Sequence, residues 1–242
     1  MRLTRVFVEE QLSAGHSCSL TGSAANHIMR VLRAREGDAL TLFDGRGGEY
    51  GARVVGFRKD SVQVEVQEHR AAERESALDL TLAQGISRGE RMDWVMQKAT
   101  ELGVTRIIPV ITERTMVKLD ERQSERKIEH WRAIVIAACE QSGRNRVPEV
   151  TAPCAYHEVV RKLDPGATRV LLSPTGTLRA RDLAEAQHIA MLIGPEGGLS
   201  DNEHEAAVAA GFQQVRMGPR VLRTETAAIA ALTILQHDFG DI

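Results

Sequence analysis

From Leu78 onward, short apolar runs alternate with longer amphipathic stretches, and this rhythm leaves few folds open. "LDLTLAQG" precedes "RMDWVMQKATELG", "RIIPVI" precedes "DERQSERKIEHWRAIVIAACEQSG", and "TRVLLSP" precedes "ARDLAEAQ". "IAMLIG" then leads to "DNEHEAAVAAG", and "FQQVRMG" to "TETAAIAALTILQHDF". A strand that is apolar along its length must be covered on both faces, and the intervening helices supply the cover. The pattern predicts an α/β domain with a parallel sheet over residues 78–242. The preceding chain has a different period. "RVFV", "ALTLF", "YGARVVGF" and "SVQVEV" are short and mostly alternating, with Val62, Val64 and Val66 on one face, which predicts a small β domain over 1–70. One helix interrupts it, "SAANHIMRVLR", with Ile28, Val31 and Leu32 as its apolar stripe and His27, Arg30 and Arg33 opposite. The doubly charged, apolar-poor stretch "EHRAAERESA" supplies the linker, placed at 71–77.

Composition narrows the function classes. With 43% hydrophobic and 26% charged residues in 242, the chain has the make-up of a soluble globular protein. No apolar stretch approaches a membrane span, and "MRLTRVFVEE" has acids where a signal peptide needs an apolar run, so a cytoplasmic protein without a membrane partner is expected. Cys18, Cys139 and Cys154 are odd in number and form no C-x-x-C pair, which predicts reduced thiols and no metal. A net charge of −2 argues against a general nucleic-acid binder, so any RNA contact must be local. The basic residues are mostly arginine, which suits phosphates and base edges but follows equally from a genome's codon composition.

Two loops stand out. "IGPEGGLSDNE" closes a strand and opens a helix, with Ser200 and Glu203 spaced as a reciprocal cap. Gly194, Gly197 and Gly198 fit either a ligand loop at a strand C-terminus or a tight turn. Glu196 at its centre would repel a phosphate, and no G-x-x-x-x-G-K-[ST] supplies a compensating lysine, so a ligand with cationic or donor groups is the compatible one. "MGPRVLRTETA" occupies the same position one unit later, and two such loops from neighbouring strands would form one cleft. "DGRGGEYG" misses the dinucleotide fingerprint, since Tyr50 replaces the third glycine and no helix follows; it is a hairpin turn. The last helix carries Ala228, Leu232, Leu235 and Phe239 on one stripe with Ile229 and Ile234 off it, which fits core packing or a subunit interface. Lys98 and Glu101, on an amphipathic helix, are read as an ion pair.

"LIGPEGGLSDNE" and "MGPRVLRTETAAIAAL", with "NHIMRVLRAREGD", "QKATELGV" and "EQSGR", resemble the bacterial 16S rRNA uridine N3-methyltransferases of the SPOUT class, in the same order along essentially the whole chain. The resemblance implies a PUA-like RNA-binding β domain, an α/β domain with a deep trefoil knot, S-adenosylmethionine held in that knot, and a homodimer. It also implies 16S rRNA as the partner, and the modest net charge of −2 favours an assembled small ribosomal subunit over free RNA as the form in which it is met. A sulfonium and an ammonium without phosphate suit a glycine loop that contains a carboxylate. Glu196 would either face that ligand or anchor the loop through backbone N–H groups.

Carried onto this chain, the cofactor contacts would be Leu172 and Ser173 after one strand, Gly194, Pro195, Glu196, Gly197, Gly198 and Leu199 in the first loop, and Met217, Gly218, Val221, Leu222, Arg223 and Thr224 in the second. Arg144 in "EQSGR" and Arg223 in "VLRTET" are candidates to hold a uracil oxygen as charge develops, and Glu225 is a candidate base; ion pairing and helix capping are the structural alternatives. Arg5, His27, Arg30 and Arg33 are the expected rRNA contacts. Two other outcomes stay open: a SPOUT enzyme acting on a different rRNA or tRNA nucleotide, and a non-catalytic RNA-binding assembly factor.

Overall fold

The computed structural model describes residues 4–116 and 120–242, so the first three residues of the N-terminal stretch lie outside it. The chain divides into two compact units, Met1–Glu75 with Cys139–Val147, and Ser76–Ala138 with Pro148–Ile242.

In the first unit, β1 (Arg5–Phe7), β2 (Ser17–Leu20), β3 (Ala39–Phe43), β4 (Glu49–Phe57) and β5 (Val62–Arg70) form one sheet in the order β1-β3-β4-β5-β2. β1 runs parallel to β3, and the other pairs are antiparallel. The alternation in β5 does what its period requires: Val62, Val64 and Val66 are buried beside Val6, Leu42 and Val54. The β3–β4 hairpin needs its glycines, since Gly45, Gly47 and Gly48 all have positive φ. Strand β2, "SCSL", carries too little apolar alternation to be read from sequence and is specified by pairing with β5.

The single helix expected over residues 23–33 is corrected. Regular α-helix α1 covers only Gly22–Asn26, and His27–Val31 forms a π-helical turn in which the Leu32 N–H donates to the His27 carbonyl at 2.9 Å. The wider turn lets Val31 lag behind the position that an α-helix would give it, and Val31, expected in the apolar stripe, is 71% exposed while Ile28 is fully buried. The turn ends at Arg33, whose φ of 50° is left-handed, a conformation costing a non-glycine residue about 1–2 kcal/mol.

The second unit contains β6 (Asp79–Gly85), α2 (Glu90–Glu101), β7 (Arg106–Ile111), most of α3 (Glu121–Ser142), and the short β8 (Glu149–Val150), β9 (Cys154–Ala155) and α4 (Val159–Lys162). There follow β10 (Thr168–Leu172), β11 (His188–Ile193), α5 (Asp201–Ala209), β12 (Gln213–Val215) and α6 (Thr224–Phe239). Six strands run β12-β10-β11-β6-β7-β8, with β9 on β7, and every pair is parallel. This is the parallel α/β sheet that the alternation predicts. Its central strands are buried on both faces: Leu80, Leu82 and Ala83 in β6 and Ile189–Ile193 in β11 are almost wholly inaccessible.

One expected helix is absent. "ARDLAEAQ" forms a single 3₁₀ turn, Ala180–Asp182, closed by the Asp182 carboxylate accepting from the Arg179 N–H at 2.8 Å. Eight residues barely exceed a helical nucleus, and burial of Ala180 and Leu183 sets the path instead. In α6, Ala228, Ala231, Leu232 and Leu235 pack into this unit's own core and Ile234 is 38% exposed. Among the described residues no helix is long and apolar enough to cross a membrane. The three cysteines are free, and burial pushes the Cys139 thiol up to about 12.

Candidate functional site

A cavity of about 920 Å³ opens at the C-terminal ends of β10 and β11, where parallel α/β sheets bind ligands. Its walls come from the ends of β10 and β12, both glycine loops and the first turns of α5 and α6. All the residues named as cofactor contacts line it: Leu172 and Ser173, Gly194 through Leu199, Met217, Gly218, and Val221 through Thr224.

The first loop is shaped by close approach. Gly198 donates to the Pro195 carbonyl at 2.9 Å and has a φ of 69°, so a turn folds the loop back onto Gly194. A Cβ on Gly85, at the end of β6, would stand 2.4 Å from the Pro195 nitrogen, so only glycine lets β6 and the loop lie together. Ser200 caps α5 as its spacing predicts: Glu203 accepts from the Ser200 N–H at 2.9 Å, and the other Glu203 oxygen accepts from the Glu113 N–H at 2.8 Å.

The second loop is tied to the first through buried polar groups. Thr224 Oγ1 donates to the Gly194 carbonyl at 2.7 Å and accepts from Gln84 Nε2 at 2.9 Å, with Gln84 wholly buried and Thr224 7% exposed. At the end of β10, Ser173 Oγ lies 3.2 Å from His204 Nε2 and 3.0 Å from Thr175 Oγ1. A chain of polar side chains thus reaches the cavity wall.

Glu196 both lines the cavity and anchors the loop. Its Oε1 accepts from the Arg88 N–H at 2.9 Å and from Arg91 Nη1 at 2.7 Å. Burial works to raise its carboxyl, but the backbone N–H groups of Arg88 and of Glu196 itself, with the Arg91 guanidinium, outweigh burial and hold it below the usual carboxylate value. Arg91 also reaches Glu225, with Nε 4.0 Å from Oε1. The side chain of Glu225 is 16% exposed, and its Oε2 is enclosed without a hydrogen-bond partner among the described residues.

The remaining candidates are placed as follows. Arg223 is exposed on the cavity wall as the residue before α6, and among the described residues the ion pair to Glu225 comes from Arg91 rather than Arg223. Arg144 belongs to the N-terminal unit and does not line the cavity; it is 4% exposed and grips the Glu75 carboxylate, with Nε 3.0 Å from Oε2. Arg5 is held inside the same unit by Glu49, by Asn145 Oδ1 at 2.6 Å and over the Phe43 ring. His27 lies 3.4 Å from Glu140, whereas Arg30 and Arg33 are exposed. Lys98 pairs with Glu101 at 2.8 Å, as read from the helix. Sequence reasoning missed Arg91, Gln84, Gly85 and His204. Gln84 alone left a signal, a large polar residue directly after the apolar Leu82 and Ala83 near the end of β6.

The cavity fits S-adenosylmethionine on its own chemistry. Leu171, Ile193, Val215 and Leu222 offer apolar surface, the glycines permit close main-chain approach, and Glu196, Asp201, Glu205 and Glu225 bring carboxylates to a cationic ligand. Among the described residues no His, Cys, Asp and Glu cluster could hold a metal ion.

Comparison with known proteins places the chain in a family. A family described as RNA methyltransferase domain matches residues 74–236, and one described as RNA methyltransferase PUA domain matches 20–67. The ribosomal RNA small subunit methyltransferase E of Buchnera aphidicola subsp. Schizaphis graminum is 33% identical, over 100% of this chain and 98% of that protein. Its Bacillus subtilis counterpart is 31% identical, covering 97% and 96%. A methyltransferase from Legionella pneumophila, solved in complex with the bound cofactor SAM, superposes with a TM-score of 0.97 at 41% identity over 100% of both chains. Ribosomal RNA small subunit methyltransferase E from Neisseria gonorrhoeae, bound to S-adenosyl methionine, gives 0.93 at 39% identity, also over 100% of both. With both domains matched and relatives aligned from end to end, the chain belongs to the ribosomal RNA small subunit methyltransferase E family.

Proposed function

We propose that the protein methylates N3 of one uridine in the decoding region of 16S rRNA, using S-adenosylmethionine, in the cytoplasm. The single observation that carries this reading is the cavity: the two loops that mark the family in sequence form the walls of one site, stitched together by Thr224 and Gln84. S-Adenosylmethionine supplies, when bound, a methyl group on a sulfonium sulfur. The chain's part is to position and to move a proton. Gly194–Leu199 and Met217–Thr224 would hold the cofactor, the glycine backbone reaching its adenine and ribose. Arg223, exposed beside the cavity, would hold a uracil oxygen as negative charge develops there. Glu225 is the carboxylate of the wall set to receive the N3 proton, at Oε1 beside Arg91, because its Oε2 is enclosed. Arg144 is assigned to holding Glu75 rather than to the reaction.

The finer features rest on resemblance. Residues 71–77 join an RNA-binding domain to the methyltransferase domain. A trefoil knot is supported by the strand order, in which β12 returns beside β10 before α6 packs against α2 and residues 180–182. A homodimer is supported by apolar surface left on α2 and α6, where Trp94 is 56% exposed and Ile234 38%. The small subunit, rather than free rRNA, is the substrate best suited to a chain of net charge −2, because an assembled particle offers shape where bulk charge is lacking.

Incubation with S-adenosylmethionine labelled in its methyl group and small subunits from cells lacking this gene tests the reading. Label in 16S rRNA is expected. Cofactor binding without label in any RNA would leave a non-catalytic assembly factor.

A further inference from the structure

The π-helical turn of the N-terminal unit has features that core packing does not require. It swings Val31 out to 71% exposure and leaves Arg30 and Arg33, which flank it in sequence, exposed as well. It ends at Arg33, the one non-glycine residue with positive φ among the described residues. Insertions of this kind and left-handed non-glycine residues concentrate where a surface is used. The turn is also held in place. Hydrogen bonds spanning five and six residues close it, from Leu32 N–H to the His27 carbonyl at 2.9 Å and from Ala34 N–H to the Ile28 carbonyl at 3.1 Å. Ile28 is fully buried beneath it. Glu140 braces its start, with one oxygen 3.4 Å from His27 Nδ1 and the other accepting from the Phe7 N–H at 3.0 Å.

We propose that this turn is a nucleotide-reading wedge, in which Val31 packs against the sugar or base edge of one rRNA nucleotide while Arg30 and Arg33 hold the flanking phosphates. The inference rests on the methyltransferase reading for its partner and adds to it an apolar contact. RNA is the occupant because an apolar residue between two exposed arginines complements a nucleotide between two phosphates, with charge outside and apolar surface inside. The electrostatic part of such a contact falls with salt, and the apolar part does not. In a helix of ordinary pitch Val31 would turn back towards the core, so the π turn is what makes the wedge.

The test uses the full-length protein and unmethylated small ribosomal subunits, with affinity measured across a salt series. Val31→Ala should weaken binding about five-fold at every salt concentration, from the apolar surface that two methyl groups bury. It should leave the salt slope unchanged. Arg30→Ala should lower the slope by roughly 0.7, the share of one phosphate. Arg33→Gly should lower it similarly while the melting temperature stays level or rises, because glycine adopts positive φ freely. A photo-crosslinking residue at position 31 should attach to 16S rRNA. Affinity unchanged in Val31→Ala, or a crosslink to a ribosomal protein, overturns the wedge while leaving the methyltransferase reading intact. Wild-type protein that binds SAM but neither binds nor labels subunits overturns that reading instead.

Discussion

The Arg91 guanidinium donates to the Glu196 carboxylate at 2.7 Å, tying the first turn of α2 to the centre of the glycine loop. The carboxylate inside a loop otherwise suited to anions is thus an anchor as well as a cavity wall, held at the same oxygen by the Arg88 N–H. Glu196→Gln should keep part of the backbone bond and lose the ion pair. S-Adenosylmethionine affinity, by isothermal titration, should fall about ten-fold, near the contribution of one charge-assisted bond. Arg91→Ala should fall at least as far, because Glu225 loses the same partner.

Acid should release this anchor. The folded-state value of Glu196 is depressed, so its contribution is complete above its ordinary 4.5 and is lost as pH falls through the lower folded value. Cofactor affinity should stay level through the ordinary carboxylate range and weaken only as pH falls through the lower folded value of Glu196, where the anchor itself protonates. In Glu196→Gln this acid limb should flatten, which titrations at successive pH values would reveal.

Thr224→Val removes a hydroxyl that donates to the Gly194 carbonyl at 2.7 Å and accepts from Gln84 at 2.9 Å, with nearly the same shape. Gln84 is wholly buried and would lose that partner. Gln84 Nε2 keeps its bond to the Gly85 carbonyl at 3.0 Å, so a cost of about 1 kcal/mol is expected in urea denaturation, the net contribution of a lost hydrogen bond.

Gly85→Ala places a methyl where the Pro195 nitrogen lies 2.4 Å away, and main chain cannot yield as a side chain can. The loop must shift off β6. Cofactor binding should drop by more than ten-fold, since a displacement of about 1 Å in a positioning element can cost a hundred-fold. Gly198→Ala should be milder, because its φ of 69° imposes strain but a Cβ there meets no atom within 4 Å.

Arg144→Ala should act on stability rather than on the cofactor. The pair is deeply placed, with side chains 5% and 14% exposed, and truncation leaves Glu75 without that partner. A loss of about 3–5 kcal/mol follows from stranding one member of a buried pair. A folded Arg144→Ala protein that binds S-adenosylmethionine normally yet cannot transfer methyl would instead return Arg144 to the reaction.

Sequence pattern carried the fold where period and burial coincide. The alternating Val62, Val64 and Val66 and the continuous apolar run Ile189–Ile193 of β11 could each be read because every residue in them has one packing role. Both loops were legible for a similar local reason, a glycine turn between a strand and a helix, with a reciprocal cap marking the first. Arg91, Gln84 and Gly85 were not, since they reach the site from more than 100 residues away and look locally like an amphipathic helix and a strand end. Val31 failed for the opposite reason: a 3.6-residue period was applied to a turn that does not keep it. Arg5 and Arg144 show that a motif match identifies a residue without saying whether it faces a ligand or a buried carboxylate.

The most direct measurement is nucleoside mass spectrometry of 16S rRNA from small subunits of gene-deleted cells, after incubation with the purified protein and S-adenosylmethionine. The account predicts N3-methyluridine at one position in the decoding region, absent before incubation and absent with Gly85→Ala protein. Methyl transfer to a different nucleoside, or at many positions, would contradict it.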